Sequence, residues 1–222
     1  MQQFATTAPI AAVLDVPAGR IRFIAADRAD ATVEILPADA SKGRDVKAAE
    51  QITVEYADGV LRIAADEPKN RILGTPGSVE VTVQLPAGSR VEARTASAEI
   101  RGVGRLGDVT LESAHGEVKL DETASARLAL QAGDITVGRL GGPAEISTQK
   151  GDLHINEAVH GSVVLHTQAG DITIGAARGA CATLDAGTSY GRVRNALKND
   201  GTGAGLAIHA TTAYGDITAR SL

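Results

Sequence analysis

One short phrase recurs through the second half of the chain. It reads TQKGDLHI at 148–155, TQAGDITI at 167–174 and TAYGDITA at 212–219, with weaker copies SAHGEVKL at 113–120, LQAGDITV at 130–137 and TSYGRVRN at 188–195. TASAEIRG at 95–102 is a degenerate first copy, with Ala98 where the others carry Gly. From Ala98 the anchor moves to Gly116, Gly133, Gly151, Gly170, Gly191 and Gly215, in steps of 18, 17, 18, 19, 21 and 24. A nearly constant period with strand-forming residues in every copy is the signature of a β-solenoid, in which each repeat buries its apolar face only by stacking on its neighbours.

Numbering each copy from its anchor gives the register. Two places after it stand Ile100, Val118, Ile135, Leu153, Ile172, Val193 and Ile217, an unbroken aliphatic column. Four places after it the residues are mostly aliphatic again, and between them lie Arg101, Lys119, Thr136, His154, Thr173, Arg194 and Thr218. That alternation predicts a strand with one face inward and one in water. Before the anchor, Ala93, Leu111, Leu128, Ile146, Leu165, Ala186 and Ala210 form a second apolar column, followed two residues on by a mainly Thr column. Threonines stacked inside a coil can hydrogen-bond along the ladder or to the bend. The Gly then permits a sharp corner between two strands of one coil, and stretches such as 138–145 and 156–163 supply the return corner. At about 4.8 Å per coil, seven coils make a rod on the order of 30 Å long.

The first ninety residues carry the same alternation at 10–16, 20–26, 31–36 and 78–85, with VPAG at 16–19 and LPAG at 85–88 as turns. Residues 37–51 read as a loop with one helical turn, 52–65 as a hairpin turning at Ala57–Gly59, and 66–77 as an exposed, mobile loop. The expected fold is all-β: a single-chain solenoid of about seven repeat coils over 91–222, continuous with an N-terminal β region or cap over 1–90. Aromatics are 2% of the chain and Trp is absent, so the core falls to Ala, Val, Ile and Leu. A narrow interior filled layer by layer suits that supply.

Several function classes are disfavoured. The net charge of −5 is mild, and no Lys/Arg cluster is interleaved with aromatics, which argues against nucleic acid. One cysteine, Cys181, allows no internal disulfide, and nothing has zinc-site spacing. The first residues lack the basic and apolar regions of a secretory signal, and no apolar run is long enough for a membrane helix, so a cytoplasmic chain with no membrane insertion is expected.

The residue after the anchor is Glu99, Glu117, Asp134, Asp152, Asp171, Arg192 and Asp216 in turn. Either these carboxylates cap the bend by accepting nearby backbone N–H groups, or they hold calcium, although the calcium-binding nonapeptide is missing. Arg192 is expected to neutralise Asp171 and Asp216 on either side. Gly116, Gly133, Gly151, Gly170, Gly191 and Gly215, with Asp134, Asp152, Asp171 and Asp216, are therefore expected as structural bends. Tyr190 and Tyr214 hold the same place in two copies and are expected to stack, with a sugar ring or a partner as their functional alternative. His154 and His166 face outward and are expected near one another across a corner. Solvated surface histidines are the plainer reading of all five. Cys181 reads as a small core residue. No nucleophile can be tied by register to a His and a carboxylate, and neither nucleotide-binding spacing nor a cofactor site is found.

The opening FATTAPIAAVLDVPAGRIRF, the bridge GSVEVTVQLPAGSRVEARTASAEI and the serial GDITV, GDLHI, GDITI and GDITA phrases together resemble the bacterial β-strand-repeat "putative adhesin" family of unknown function. The resemblance implies a solenoid-like fold without established enzymatic activity and defines no catalytic residues. Three functional readings follow. The first is a non-enzymatic scaffold or interaction module, adhesin-like, presenting regular outer faces to a protein partner or to itself. The second is a carbohydrate or cell-envelope binding module using Tyr190, Tyr214 and the polar columns. The third, a polysaccharide-active enzyme, would need a cleft and sugar platforms that tight corners and five aromatics do not supply.

Overall fold

The computed structural model describes residues 1–65, 77–198 and 205–222. The loop expected at 66–77 lies outside the described residues except for Gly77, and so does most of the irregular stretch 195–205. Along the chain run β1 (Gln2–Ala5), β2 (Ala11–Asp15), β3 (Ala18–Ala26), β4 (Asp30–Pro37), helix α1 (Gly43–Glu50), β5 (Ile52–Ala57), β6 (Val60–Ala65) and β7 (Val79–Pro86). Two long strands, β8 (Arg90–His115) and β9 (Val118–Ala132), lead into β10 (Ile135–Leu140), β11 (Ala144–Lys150), β12 (Leu153–Ala158), β13 (Gly161–Ala169) and β14 (Ile172–Ala176). The last four are β15 (Cys181–Tyr190), β16 (Val193–Ala196), β17 (Gly205–Tyr214) and β18 (Ile217–Ser221). Together they make one open, all-β sheet of 18 strands.

Equivalent residues of the repeat pair with one another in parallel. After the corner, Val118 pairs with Ile135, Ile135 with Leu153 and Leu153 with Ile172. Before it, Leu128 pairs with Ile146 and Ile146 with Leu165. The aliphatic columns read from the sequence face the core, and Ile100, Val118, Ile135, Leu153 and Ile172 are all buried. Their neighbours Arg101, Lys119, Thr136, His154 and Thr173 retain solvent contact. Period two therefore sets both faces, as the pleat requires.

The layers do not stack in chain order. Ile172 pairs with Ile217, and Ile217 pairs with Val193; likewise Leu165 pairs with Ala210, and Ala210 with Ala186. The C-terminal pair β17–β18 is thus inserted between β13–β14 and β15–β16, which becomes the outer layer. Composition accounts for the choice. The inserted layer offers Leu206, Ile208, Ala210, Ile217 and Ala219, each buried, where the outer layer has Ala182, Leu184, Ala186, Val193 and Asn195 at the paired positions, smaller at Ala182 and Val193 and polar at Asn195. Burying the more apolar layer on both sides removes more apolar area from water, at about 25 cal/mol per Å². As a result Val193, expected inside the column, is 44% exposed, and Arg192 flanks Asp216 alone rather than sitting between two carboxylates.

The chain doubles back in the same way at the other end. Leu14 lies between Ile63 and Ala93, and Ile21 between Val81 and Ile100, so β2–β3 is sandwiched by β6–β7 and β8. Antiparallel strands then cover this end: β4 on β7, β1 on β4, and β5 on β6. The β5–β6 hairpin turns at Asp58 and Gly59, with φ of 50° and 76°, the mirror-image turn that matches strand twist. Where one helical turn was expected, α1 has eight residues; it packs on β4 and β7 with Ala48 and Ala49 against the core. Its buried Asp45 accepts the Ser78 N–H at 3.0 Å, which satisfies a carboxylate that would otherwise be costly to bury. Arg28 joins this end by donating through Nε and Nη2 to Asp30, which also accepts from Gln3, and through Nη1 to the Gln84 side-chain oxygen. The Arg28 hydrogen bond holds the Asp30 carboxyl below its usual range.

Candidate interaction surface

The corner of each layer is built from three side-chain types. Gly170 has φ of +153°, and a Cβ there would stand 2.0 Å from the Gly151 carbonyl oxygen. At the anchors from Gly116 to Gly215 an added Cβ would stand 1.8–2.1 Å from the carbonyl oxygen of the neighbouring anchor, so those positions admit only glycine. The hydroxyl of Thr167 donates to the Gly151 carbonyl at 3.1 Å, Thr212 to Gly170 at 3.1 Å and Thr188 to Gly215 at 3.0 Å. These bonds satisfy the carbonyl against which the next anchor packs, as the buried threonine column suggested.

The acidic column caps, but not within its own turn. Asp134 accepts the backbone N–H of Asp152 at 2.8 Å, Asp152 that of Asp171 at 2.8 Å, Asp171 that of Asp216 at 2.7 Å and Asp216 that of Arg192 at 2.9 Å. Each carboxylate therefore ties its layer to the next one, in spatial order. A charged acceptor makes each of these bonds stronger than a neutral one, and the N–H partners lessen the repulsion between stacked carboxylates. Glu117 departs from the pattern and pairs instead with Lys119 at 2.7 Å. Among the described residues no group of three or more His, Cys, Asp or Glu side chains is arranged to hold a metal ion.

Tyr190 and Tyr214 stack with ring centroids 5.0 Å apart and planes within 3°. They are 67% and 60% exposed, and Ala169 follows Tyr214 in the column, so the ladder holds two rings at the outer end. His154 and His166 fall on different ladders. His154 lies half-buried between Thr136 and Thr173, while His166 is exposed with Nδ1 2.8 Å from the Thr211 hydroxyl. No hydrogen bond joins the two among the described residues. Cys181 starts the outer strand β15 and is half-buried, its neighbours Ala180 and Ala182 being the buried ones; the alternation was read one residue out of phase. The layer swap also creates a pair that chain-order stacking hides: His209 Nδ1 lies 3.4 Å from Asp185 Oδ2.

Two open grooves cross the layers on the before-corner side. One, of about 490 Å³, is lined by Arg90, Glu92, Asp108, Arg127, Glu145 and Val164. Its charges are paired with each other, Arg90 with Asp108 at 3.7 Å and Arg127 with Glu145 at 3.4 Å. The other, of about 840 Å³, follows the return corner past Pro9, Gly88, Gly107, Gly142, Pro143 and His160. Neither groove contains the Tyr pair.

The Toastrack DUF4097 family model matches residues 14–205, so the chain belongs to that family. Among solved structures, a putative adhesin from Bacteroides fragilis NCTC 9343 is similar at a TM-score of 0.50 and 13% identity, covering 98% of this chain and 95% of that one. A putative lipid binding protein from Parabacteroides distasonis ATCC 8503 gives 0.47 and 11%, covering 98% and 95%. A putative cell adhesion protein from Clostridium sporogenes ATCC 15579 gives 0.41 and 10%, covering 100% and 98%. At these identities the first likeness speaks for the fold alone. Among curated proteins nothing matches.

Proposed function

We propose that this member of the family is a non-enzymatic, adhesin-like β-solenoid module that binds a protein partner. The observation that carries the reading is the stacked Tyr190–Tyr214 pair, two rings left more than half in water at the outer end of the stack. Tyr presents a large, stiff, amphipathic surface at small entropic cost and is enriched where proteins meet. The rigid ladder beneath fixes the rings before a partner arrives, so little ordering is required on binding. A cytoplasmic setting, expected from the sequence, belongs to this proposal, and cell fractionation checks it.

The test is a crosslinked pull-down from native cells with the wild-type chain and with Tyr190→Ala plus Tyr214→Ala. Both residues are exposed, so the variant should fold. A protein captured by the wild type and reduced at least tenfold in the variant is the expected result. Equal capture by both would overturn the assignment of the surface. The second reading, carbohydrate binding, is favoured by the parallel rings, which suit a flat sugar face. Glycan retention lost in the same variant, with no protein captured, would establish it instead.

A further inference from the structure

The two ends of the stack differ. The N-terminal end is closed by α1 and by the antiparallel strands β1, β4 and β5. At the other end, among the described residues, β16 pairs with β18 alone and β15 with β17 alone. Ile217 donates its N–H to the Arg192 carbonyl at 2.9 Å. In a parallel ladder alternate residues face one side, so the backbone groups of Val193 and Asn195 point away from β18. Among the described residues they have no backbone partner and form an open edge, of the kind that accepts an added strand.

The charge of this edge is distinctive. The column Asp134, Asp152, Asp171, Asp216 ends in Arg192, so the sign reverses at the last layer. Arg194 ends the neighbouring outward column, and Lys198 and Arg220 lie alongside, all four exposed. Among the described residues none of the four makes an ion pair, in a chain whose net charge is −5. The layers of Asp134, Asp152, Asp171 and Asp216 each receive an N–H from the next layer on that Asp, but Arg192 offers a guanidinium where the acceptor would stand. A further strand must therefore bring the carboxylate itself.

We infer that the β15–β16 edge takes up an extended acidic segment of the partner protein as an additional strand. The register specifies its pattern: acidic residues two apart beside Arg192 and Arg194, with an apolar residue between them covering Val193. A second copy of this chain fits poorly, because antiparallel edge pairing about Val193 sets Arg192 of one copy beside Arg194 of the other. The inference rests on the reading of the chain as a protein-binding module and adds the chemistry of what it binds.

The probe is a fluorescent eight-residue peptide of alternating Glu and Val, followed by anisotropy at low salt, where exposed charges are least screened. Two further peptides accompany it: one with Lys for Glu, and one with alternate amides N-methylated on the edge-pairing side. The Glu–Val peptide should bind at least tenfold more tightly than the Lys–Val peptide. Its affinity should fall at least tenfold on N-methylation, and at least tenfold for Arg192→Glu with Arg194→Glu, two exposed positions that leave the core intact. Binding indifferent to N-methylation would reduce the edge to an electrostatic contact and overturn strand addition. Binding of neither charged peptide, while the pull-down still captures a Tyr-dependent partner, would overturn this inference and leave the protein-binding reading standing. A concentration-dependent dimer in sedimentation that the Arg variants abolish would replace the acidic segment with a second copy.

Discussion

Gly170→Ala isolates what the corner demands. The new Cβ would lie 2.0 Å from the Gly151 oxygen and 2.5 Å from its carbonyl carbon, and 3.0 Å from Asp152 Oδ1. Relief requires a backbone shift of about 1 Å in one of two packed layers, which overpacking studies put at roughly 1–3 kcal/mol. A φ of +153° adds strain for any side chain, about 1–3 kcal/mol. The shift also stretches the Thr167 bond to the Gly151 carbonyl and the Asp171 N–H bond to Asp152, with a loss of roughly 1 kcal/mol. The expected destabilisation is about 5 kcal/mol. Gly187→Ala is the control, since it faces outward with no atom within 4 Å of the added carbon, and its effect should stay within about 1 kcal/mol. Urea titration followed by circular dichroism gives the comparison. Stacked repeats can unfold in parts, so amide exchange around residues 151–171 supplies the local readout. Equal midpoint shifts in the two variants, or no shift for Gly170→Ala, would refute the argument that the anchors stack too closely for a side chain.

The layer order predicts an inversion in hydrogen exchange: the amides of 206–214 and 217–219, paired on both sides, should exchange more slowly than those of 182–190 and 193–196, although they are nearer the chain end. Mass-spectrometric exchange that finds the C-terminal strands faster would contradict the insertion. A second prediction concerns Asp39, whose carboxylate is held down to about 2 first by the Ser41 hydroxyl, then by the Ser41 N–H and by Lys42. A depressed folded value means that its contribution to stability is full above the ordinary carboxylate range and is lost as pH falls from there toward about 2. A carbon-detected titration should show the low value in the wild type and a rise toward the ordinary range in Ser41→Ala; an unchanged titration would remove the hydroxyl as the main cause.

The corner was legible because its causes are local. Gly, the Asp after it and the Thr three places before it recur at fixed offsets, and period two assigned inward and outward faces correctly from Ile100 to Ile172. The Tyr190–Tyr214 contact followed from shared register alone. Helix α1 was less visible, since its charged, Ala-containing sequence has no apolar stripe long enough to separate it from a loop. The order of layers was hidden for a deeper reason. Any copy of the repeat presents the same ladder of backbone groups as any other, so the pairing rules that identify a coil do not say which coil it stacks on. Composition breaks that tie, through differences that only matter once the ends are known: Asn195 and Arg192 are tolerable on an outer layer and costly on an inner one. The residues that looked like defects in the repeat, an Arg in an acidic column and an Asn in an aliphatic one, are thus the marks of a terminal layer. That is also why the basic edge was missed. Arg192 read as a neutralising charge between two carboxylates becomes, with β17–β18 moved inside it, the last residue of its column and the first that an incoming strand would meet.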